Sequence, residues 1–337
     1  MKRDRELKAL REDTVGSIHR LLFPTDFSPR AAAAWPYAVS LAQGRHAQLH
    51  VVHIVTPPMI CASPEAAVVT LPVIDDVLAE AHGVLEALAE SARALGVDAR
   101  THTRVGEPGS GILACASDEG IDLIVMATTG RTGLAHVLMG SVAERVVRQA
   151  ACPVLTVRHD PKVAPKRLTP DTLPRLAEIL VPLDGSALAE TALPGTLRIA
   201  RRHGSAVRLL RVVHAHALGT VALEAAQVRG VQDAEAYLAA LKRRLAAEGL
   251  TTGAAVRYGE AAPEILDDIR VNRPNLVAMS THGRTGLLHL VLGSVAEQVL
   301  RASLVPVLLF PARALREALP GAPHAQAAQE EPSRSSR

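Results

Sequence analysis

Aromatic residues are nearly missing from this sequence: one Trp, three Tyr and three Phe stand among 337 residues. A surface that grips single-stranded nucleic acid by base stacking needs aromatic platforms, so the scarcity counts against that class. Cysteine is as sparse. Cys61, Cys115 and Cys152 are odd in number and far apart, which excludes a disulfide framework or a four-cysteine zinc site and suits a reducing cytoplasm. Neither charge sign dominates: 37 basic against 34 acidic residues give +3, too even for a dedicated DNA-binding face. No apolar run reaches the ~18–20 residues of a membrane span; the longest, Leu304–Phe310, is strand-sized. The first twelve residues, MKRDRELKALRE, alternate charges and carry no apolar core, unlike a secretory signal. The expectation is a cytoplasmic protein with neither nucleic acid nor membrane as partner.

With 48% hydrophobic and 21% charged residues, the chain can fill sizeable cores, and its length suits two domains of ~150 residues. A repeat explains the length. Met126–Val147 (MATTGRTGLAHVLMGSVAERVV) and Met279–Leu300 (MSTHGRTGLLHLVLGSVAEQVL) share 14 of 22 positions without gaps. Leu22–Ser28 (LFPTDFS) faces Val181–Ser186 (VPLDGS), and Cys152–Val157 (CPVLTV) faces Val305–Phe310 (VPVLLF). Within each unit, short apolar runs alternate with longer amphipathic stretches. The first copy offers strands at 20–25, 48–55, 99–105, 123–127 and 154–157, with helices near 29–43, 75–95, 109–119 and 141–150. The second offers strands near 179–183, 207–213, 254–258, 276–280 and 305–310. Continuous apolar strands suit a parallel sheet covered on both faces, and the alternation implies right-handed βαβ units. The fold class expected is α/β: two tandem doubly wound, Rossmann-like domains. Their bounds are 16–158 and 177–312, with an N-terminal arm at 1–15, a proline-rich linker at 159–176 and a disordered tail at 313–337.

In an open parallel sheet, ligands bind beyond the carboxyl ends of the strands, near the switch in strand order. Two repeated motifs fall there. Strand 1 runs into Asp26-Phe-Ser28 or Asp184-Gly-Ser186; strand 4 runs into Gly130-Arg-Thr-Gly133 or Gly283-Arg-Thr-Gly286 and on to Gly140-Ser141 or Gly293-Ser294 at a helix start. Glycines let backbone N–H groups approach phosphate oxygens, and a helix N-terminus adds unpaired donors and a positive dipole end. Arg131 and Arg284 can add a charge-assisted contact. A plainer reading competes. Ser141-x-x-Glu144 and Ser294-x-x-Glu297 fit a capping box, the glycines fit turns, and Asp26 or Ser28, with Pro29 behind it, fits a helix cap. Recurrence of loop, aspartate and helix start together in both copies favours phosphate binding.

The pattern small-x-x-Gly, nine residues, then Gly-Ser, behind a P-T-D-x-S strand end, resembles the universal stress protein family over both copies. The resemblance implies an adenine nucleotide α-hydrolase-like sheet of order 3-2-1-4-5 and ATP, with Mg²⁺, bound where the motif is complete. It implies that Pro24, Thr25 and Asp26 in copy one, and Pro182, Leu183 and Asp184 in copy two, border the nucleotide, with the two aspartates as the only metal candidates, through water. Main chain at Ile54 and Val212 would meet adenine. Gly130, Gly140 and Ser141 would hold the phosphates in copy one, with Ala127, Arg131 and Val142 also at the nucleotide; Gly283, Gly293 and Ser294 would do so in copy two, with Ser280, Arg284 and Val295. The family opens its motif with Gly where this chain has Ala127 and Ser280, and a left-handed backbone there would cost each about 1 kcal/mol or more. The resemblance also implies pairing of strand-5 edges, giving an internal pseudo-dimer that associates further into a homodimer.

Other signals are weaker. The absence of any Gly-Lys dipeptide excludes a P-loop. Gly106-Glu-Pro-Gly109 suits a strand-to-helix turn. Fourteen histidines include no H-E-x-x-H; His214-x-His216 is the nearest to a metal pair, and His136 and His289 match between copies as surface or packing residues. Cys152 suits a small buried side chain. No base stands poised to activate water, so no catalytic residue is assigned. The reading is a nucleotide-responsive stress regulator; the alternatives are a slow ATP hydrolase on the same fold and a nucleotide-independent scaffold.

Overall fold

The computed structural model describes residues 18–43, 47–57, 64–128, 139–161, 167–214, 221–281 and 292–311, with 64–74 and 221–226 described by backbone alone. The first copy runs β1 (Arg20–Pro24), α1 (Pro29–Ala32), α2 (Trp35–Ala42), β2 (Gln48–Val55), α3 (Pro64–Arg93), β3 (Asp98–Val105), α4 (Pro108–Asp118), β4 (Leu123–Ala127), α5 (Ser141–Gln149) and β5 (Val154–Val157). The second runs β6 (Glu178–Pro182), α6 (Ala187–Glu190), α7 (Ala192–His203), β7 (Ala206–Val213), α8 (Val221–Ala247), β8 (Thr252–Tyr258), α9 (Ala261–Asn272), β9 (Leu276–Ser280), α10 (Ser294–Ala302) and β10 (Val307–Phe310). The stretch expected as one helix over 29–43 is two, broken at Ala33 and Ala34, and the helix expected from 75 begins at Pro64.

Among the described residues the strands form one ten-stranded sheet of order β3-β2-β1-β4-β5-β10-β9-β6-β7-β8. Each copy therefore has the order 3-2-1-4-5, parallel throughout, and the copies join where β5 and β10 pair antiparallel, with Leu155 opposite Leu308. Thr156 adds a side-chain bond, its Oγ1 donating to Val307 O at 3.0 Å. This junction is the internal pseudo-dimer expected of the strand-5 edges. Both edges are hydrogen-bonded to each other within the chain, so a further homodimer, expected through those same edges, would have to use another surface.

The apolar strands bury both faces, and the helices divide accordingly. One core layer gathers Phe23, Leu49, Val51, Leu85 and Leu123 with Leu193, Leu209 and Leu241; the other gathers Leu22, Val52, Ile112 and Val146 with Ile265 and Val299. Both layers run unbroken across the β5–β10 junction. Part of the proline-rich linker packs as well: Leu173 and Leu176 are buried in the first layer, and Ser40 Oγ donates to Pro174 O at 2.9 Å. Arg202 on α7 donates to the main chain of Ala42 and Gln43 at the end of α2, a second tie between copies. The segments 1–15 and 313–337 lie outside the described residues.

Candidate functional site

The order 3-2-1-4-5 reverses between β1 and β4, and the chain leaves these strands in opposite directions there. A cavity of about 440 Å³ opens at that point, lined by the ends of β1 (Thr25, Asp26), β2 (Ile54, Val55) and β4 (Ala127, Thr128) and by the start of α5 (Gly140, Ser141). Its position is the one that doubly wound sheets use for ligands.

One wall is main chain. β1 pairs β2 only as far as Pro24 opposite Val52, whereas β3 stays paired to Val55. Val52 O accepts from Thr25 N at 2.9 Å, so Val52 turns its peptide groups toward β1. Ile54, two residues on, turns its N–H and C=O to the same side, where β1 has already ended. A donor and an acceptor thus face the cavity side by side, the pair that a purine edge needs. The second copy repeats this: Leu183 N donates to Leu210 O at 2.8 Å, which aims Val212 in the same way.

The opposite wall is a helix start. Gly140 N donates to Thr128 O at 2.8 Å, and Gly293 N to Thr281 O at 2.8 Å, so the end of each glycine-rich loop is tied to the end of its strand. Gly140 and Gly293 are the N-caps of α5 and α10, and neither helix has a side-chain cap. The capping-box expectation is therefore corrected: Ser141 and Ser294 are first helical residues, one place too late to cap, and both are exposed. The first amides of α5 and α10 keep no side-chain partner from a cap. Gly140 has φ −76°, which any residue adopts, so its backbone conformation does not by itself require glycine.

Ala127 and Ser280 end their strands without strain. Among the described residues only Phe27 (φ 62°) and Arg273 (φ 49°) are non-glycines at positive φ, so the expected penalty at the motif's opening residue does not arise. Thr128 is buried at 3% exposure, and its Oγ1 has no hydrogen-bond partner. Such an orphan hydroxyl costs about 1–3 kcal/mol. Its place in the cavity wall fits a polar ligand.

Asp26 and Asp184 hold the turns rather than the helix caps. Asp26 Oδ1 accepts from Ser28 N at 3.0 Å, and Asp184 Oδ1 from Ser186 N at 2.9 Å and Ser186 Oγ at 2.6 Å. The caps are Ser28 and Ser186, accepting from Ala31 N and Ala189 N. The copies differ at the next residue. Phe27 takes a left-handed conformation and stacks on His53 with ring centroids 4.3 Å apart, and His53 Nδ1 meets Thr25 O at 2.8 Å. Copy two has Gly185 (φ 82°) with the Arg211 guanidinium beside it, and Arg211 lies 5.1 Å from the Tyr237 ring centre. Burial, then the bond to Glu190, raises the Tyr237 hydroxyl above the usual phenol range.

Gly106-Glu-Pro-Gly109 is a turn as expected. Glu107 caps α4, accepting from Gly109 N and Ser110 N; the Ser110 amide is the main reason its carboxyl falls below the usual range. Burial pushes the Cys152 thiol up to about 12 and the Cys115 thiol to about 11. Gly130, Arg131, Gly283, Arg284, His136, His216 and His289 lie outside the described residues. Sequence reasoning missed Thr128, Phe27 and His53. Thr128 alone had a signal, its place beside the motif.

A sequence model of the universal stress protein family matches residues 17–158 and 177–311. A universal stress protein of Methanocaldococcus jannaschii, MJ0531, is 34% identical over 144 residues, covering 42% of this chain and 84% of its own. Universal stress protein YxiE of Bacillus subtilis is 33% identical over 147 residues, 42% of this chain and 99% of its own. Among solved structures, a universal stress protein from Archaeoglobus fulgidus superposes with a TM-score of 0.63 at 21% identity over 87% of this chain and 96% of its own, a likeness of fold alone.

Proposed function

The chain belongs to the universal stress protein family, in tandem form, and from that premise we propose that each half, 16–158 and 177–312, binds ATP with Mg²⁺. The protein is then a nucleotide-responsive stress regulator rather than a turnover enzyme. The observation that carries the reading is the convergence on one cavity of the Ile54 peptide groups and the α5 start, which has no side-chain cap. The first can meet the adenine edge; the second can meet phosphate, with Thr128 Oγ1 as a further donor between them. Copy two has the same strand-end and helix-start bonds around Val212, Ser280, Gly293, Ser294 and Val295. Gly130, Arg131, Gly283 and Arg284 complete the proposed phosphate loops.

When bound, Mg²⁺ would offset phosphate charge, and Asp26 and Asp184, fixed by their turns, would orient it through water. Both carboxylates are engaged with the backbone of the next turn, which suits orientation better than proton abstraction. Substituting Gly140→Ala together with Gly293→Ala places a Cβ beside each set of amides. The expected result is loss of ATP binding by calorimetry with an unchanged unfolding midpoint; unchanged affinity would refute the assignment. Inorganic phosphate release by the unsubstituted protein over hours, at many equivalents per chain, would favour the hydrolase.

A further inference from the structure

A second polar cluster lies under the opposite end of the first copy's sheet. His50 is the third residue of β2, His102 stands on β3, and Glu119 caps the C-terminus of α4. One ligand atom of each falls within 4.8 Å of the others. His50 Nδ1 and His102 Nε2 are 2.8 Å apart, while the Glu119 carboxylate stands 3.8 Å from His50 Nδ1 and 3.7 Å from His102 Nδ1. Both carboxylate separations are too long for hydrogen bonds.

We propose that His50, His102 and Glu119 are the protein ligands of a divalent transition-metal site, filled by zinc, in copy one only. Two imidazoles and a carboxylate, with a fourth position open to solvent, suit Zn²⁺.

The neighbours set the ring orientation that a ligand histidine requires. Gln48 Nε2 donates to Asp98 Oδ2 at 2.6 Å, so the Gln48 oxygen must face His50. His50 Nε2–H then donates to Gln48 Oε1 at 3.0 Å, which leaves the lone pair of the neutral ring on Nδ1, facing His102. An outer carbonyl holding a ligand histidine by its second nitrogen is the usual support of such sites. Without metal, His102 Nε2–H donates to that lone pair. With metal, the His102 proton moves to Nδ1, facing Glu119 Oε1, and Nε2 becomes a ligand; no proton is gained or lost by the ring. Tetrahedral bonds of ~2.0–2.1 Å put ligand atoms about 3.3 Å apart, so His50 Nδ1 and His102 Nε2 part, and Glu119 closes on His50 Nδ1, by roughly half an ångström each, with the near-coplanar rings turning to aim both lone pairs at the ion. A cavity of about 820 Å³, lined by Gln48, His50, Asp98, Arg100 and Glu119, gives the ion a way in. Arg20, Arg100 and Arg104 stand around the cluster against Asp98, Asp118 and Glu119, so the surroundings are close to neutral before the ion arrives.

Copy two shows what the same place does without a metal. Arg208 holds the β7 position of His50, and Ala255 the β8 position of His102. Counted from the helix caps Glu107 and Glu260, Asp268 matches Cys115 and Asn272 matches Glu119. There Asp268 is fully buried and accepts from Arg208, Arg257 and Asn272: a self-satisfied ion cluster. Copy one keeps the matching arginine, Arg104, but replaces the ion pair with two imidazoles and a carboxylate held just beyond bonding distance.

The test is zinc titration of the full chain by calorimetry, repeated with His102→Gln and Glu119→Gln, plus Co²⁺ as a spectroscopic probe. His102 and Glu119 are both partly exposed, and Glu119→Gln changes only a rim group, so at least one variant should fold. The expected result is one tight equivalent per chain, weakened in each variant by more than the ~10–100-fold that loss of an outer-shell partner gives, with a visible cobalt band in the unsubstituted protein alone. No tight equivalent, or the same affinity and cobalt band in the variants, would overturn the proposal.

Discussion

Replacing Thr128 by valine removes a hydroxyl while nearly keeping the side chain's shape, and its two effects should have opposite signs. Without nucleotide, Thr128 Oγ1 is buried and unpartnered, so its removal should raise stability by about 1–2 kcal/mol. That corresponds to roughly 2–4 °C per kcal/mol in the unfolding midpoint. With nucleotide, the hydroxyl has a phosphate to meet, and a hydrogen bond to a charged group contributes about 1.5–3 kcal/mol. Affinity in copy one should therefore fall roughly 10- to 150-fold. Urea unfolding measures the first effect and calorimetry with ATP the second. A valine variant that is less stable without nucleotide yet binds as tightly would mean that the hydroxyl is satisfied within the protein, and the phosphate assignment of Thr128 would fall.

Two further predictions concern the scaffold. Asp268→Ala leaves Arg208 and Arg257 facing each other without their shared, fully buried carboxylate; loss of a buried partner costs about 3–5 kcal/mol, and a loss below about 1 kcal/mol in urea unfolding would contradict the described network. Burial holds the Cys115 and Cys152 thiols up to about 11 and about 12, so at pH 8 about one in a thousand or fewer is thiolate, against roughly one in four for a free cysteine. Labelling of these thiols in the native protein should run at least about 100-fold slower than in urea and quicken as pH rises; rates within tenfold would show that they are open.

The parallel sheet was legible because its strands are buried on both faces and appear as continuous apolar runs, and because the repeat gave every element a second witness. The site's position was legible for the same reason, through Asp26, Gly140 and their partners in copy two. What the sequence hid depends on register. Ser141-x-x-Glu144 has the residues of a capping box, but the tie from Gly140 N to Thr128 O starts the helix one residue earlier. The β5–β10 pairing came from the family resemblance and not from either unit's own pattern, since it needs both strand edges. The clusters at His50 and Asp268 escaped because their members come from different strands and a helix, 52 and 60 residues apart in the pairs His50–His102 and Arg208–Asp268. The linker's burial rests on two leucines, Leu173 and Leu176, among prolines and charges.

The central claim, a nucleotide site in each half, is tested most directly by calorimetric titration of ATP with Mg²⁺ into the full chain. Saturable binding of two equivalents per chain is expected, falling to one when Gly140 alone is replaced by alanine. Absence of binding heat at millimolar nucleotide, or two equivalents unaffected by that substitution, would contradict it.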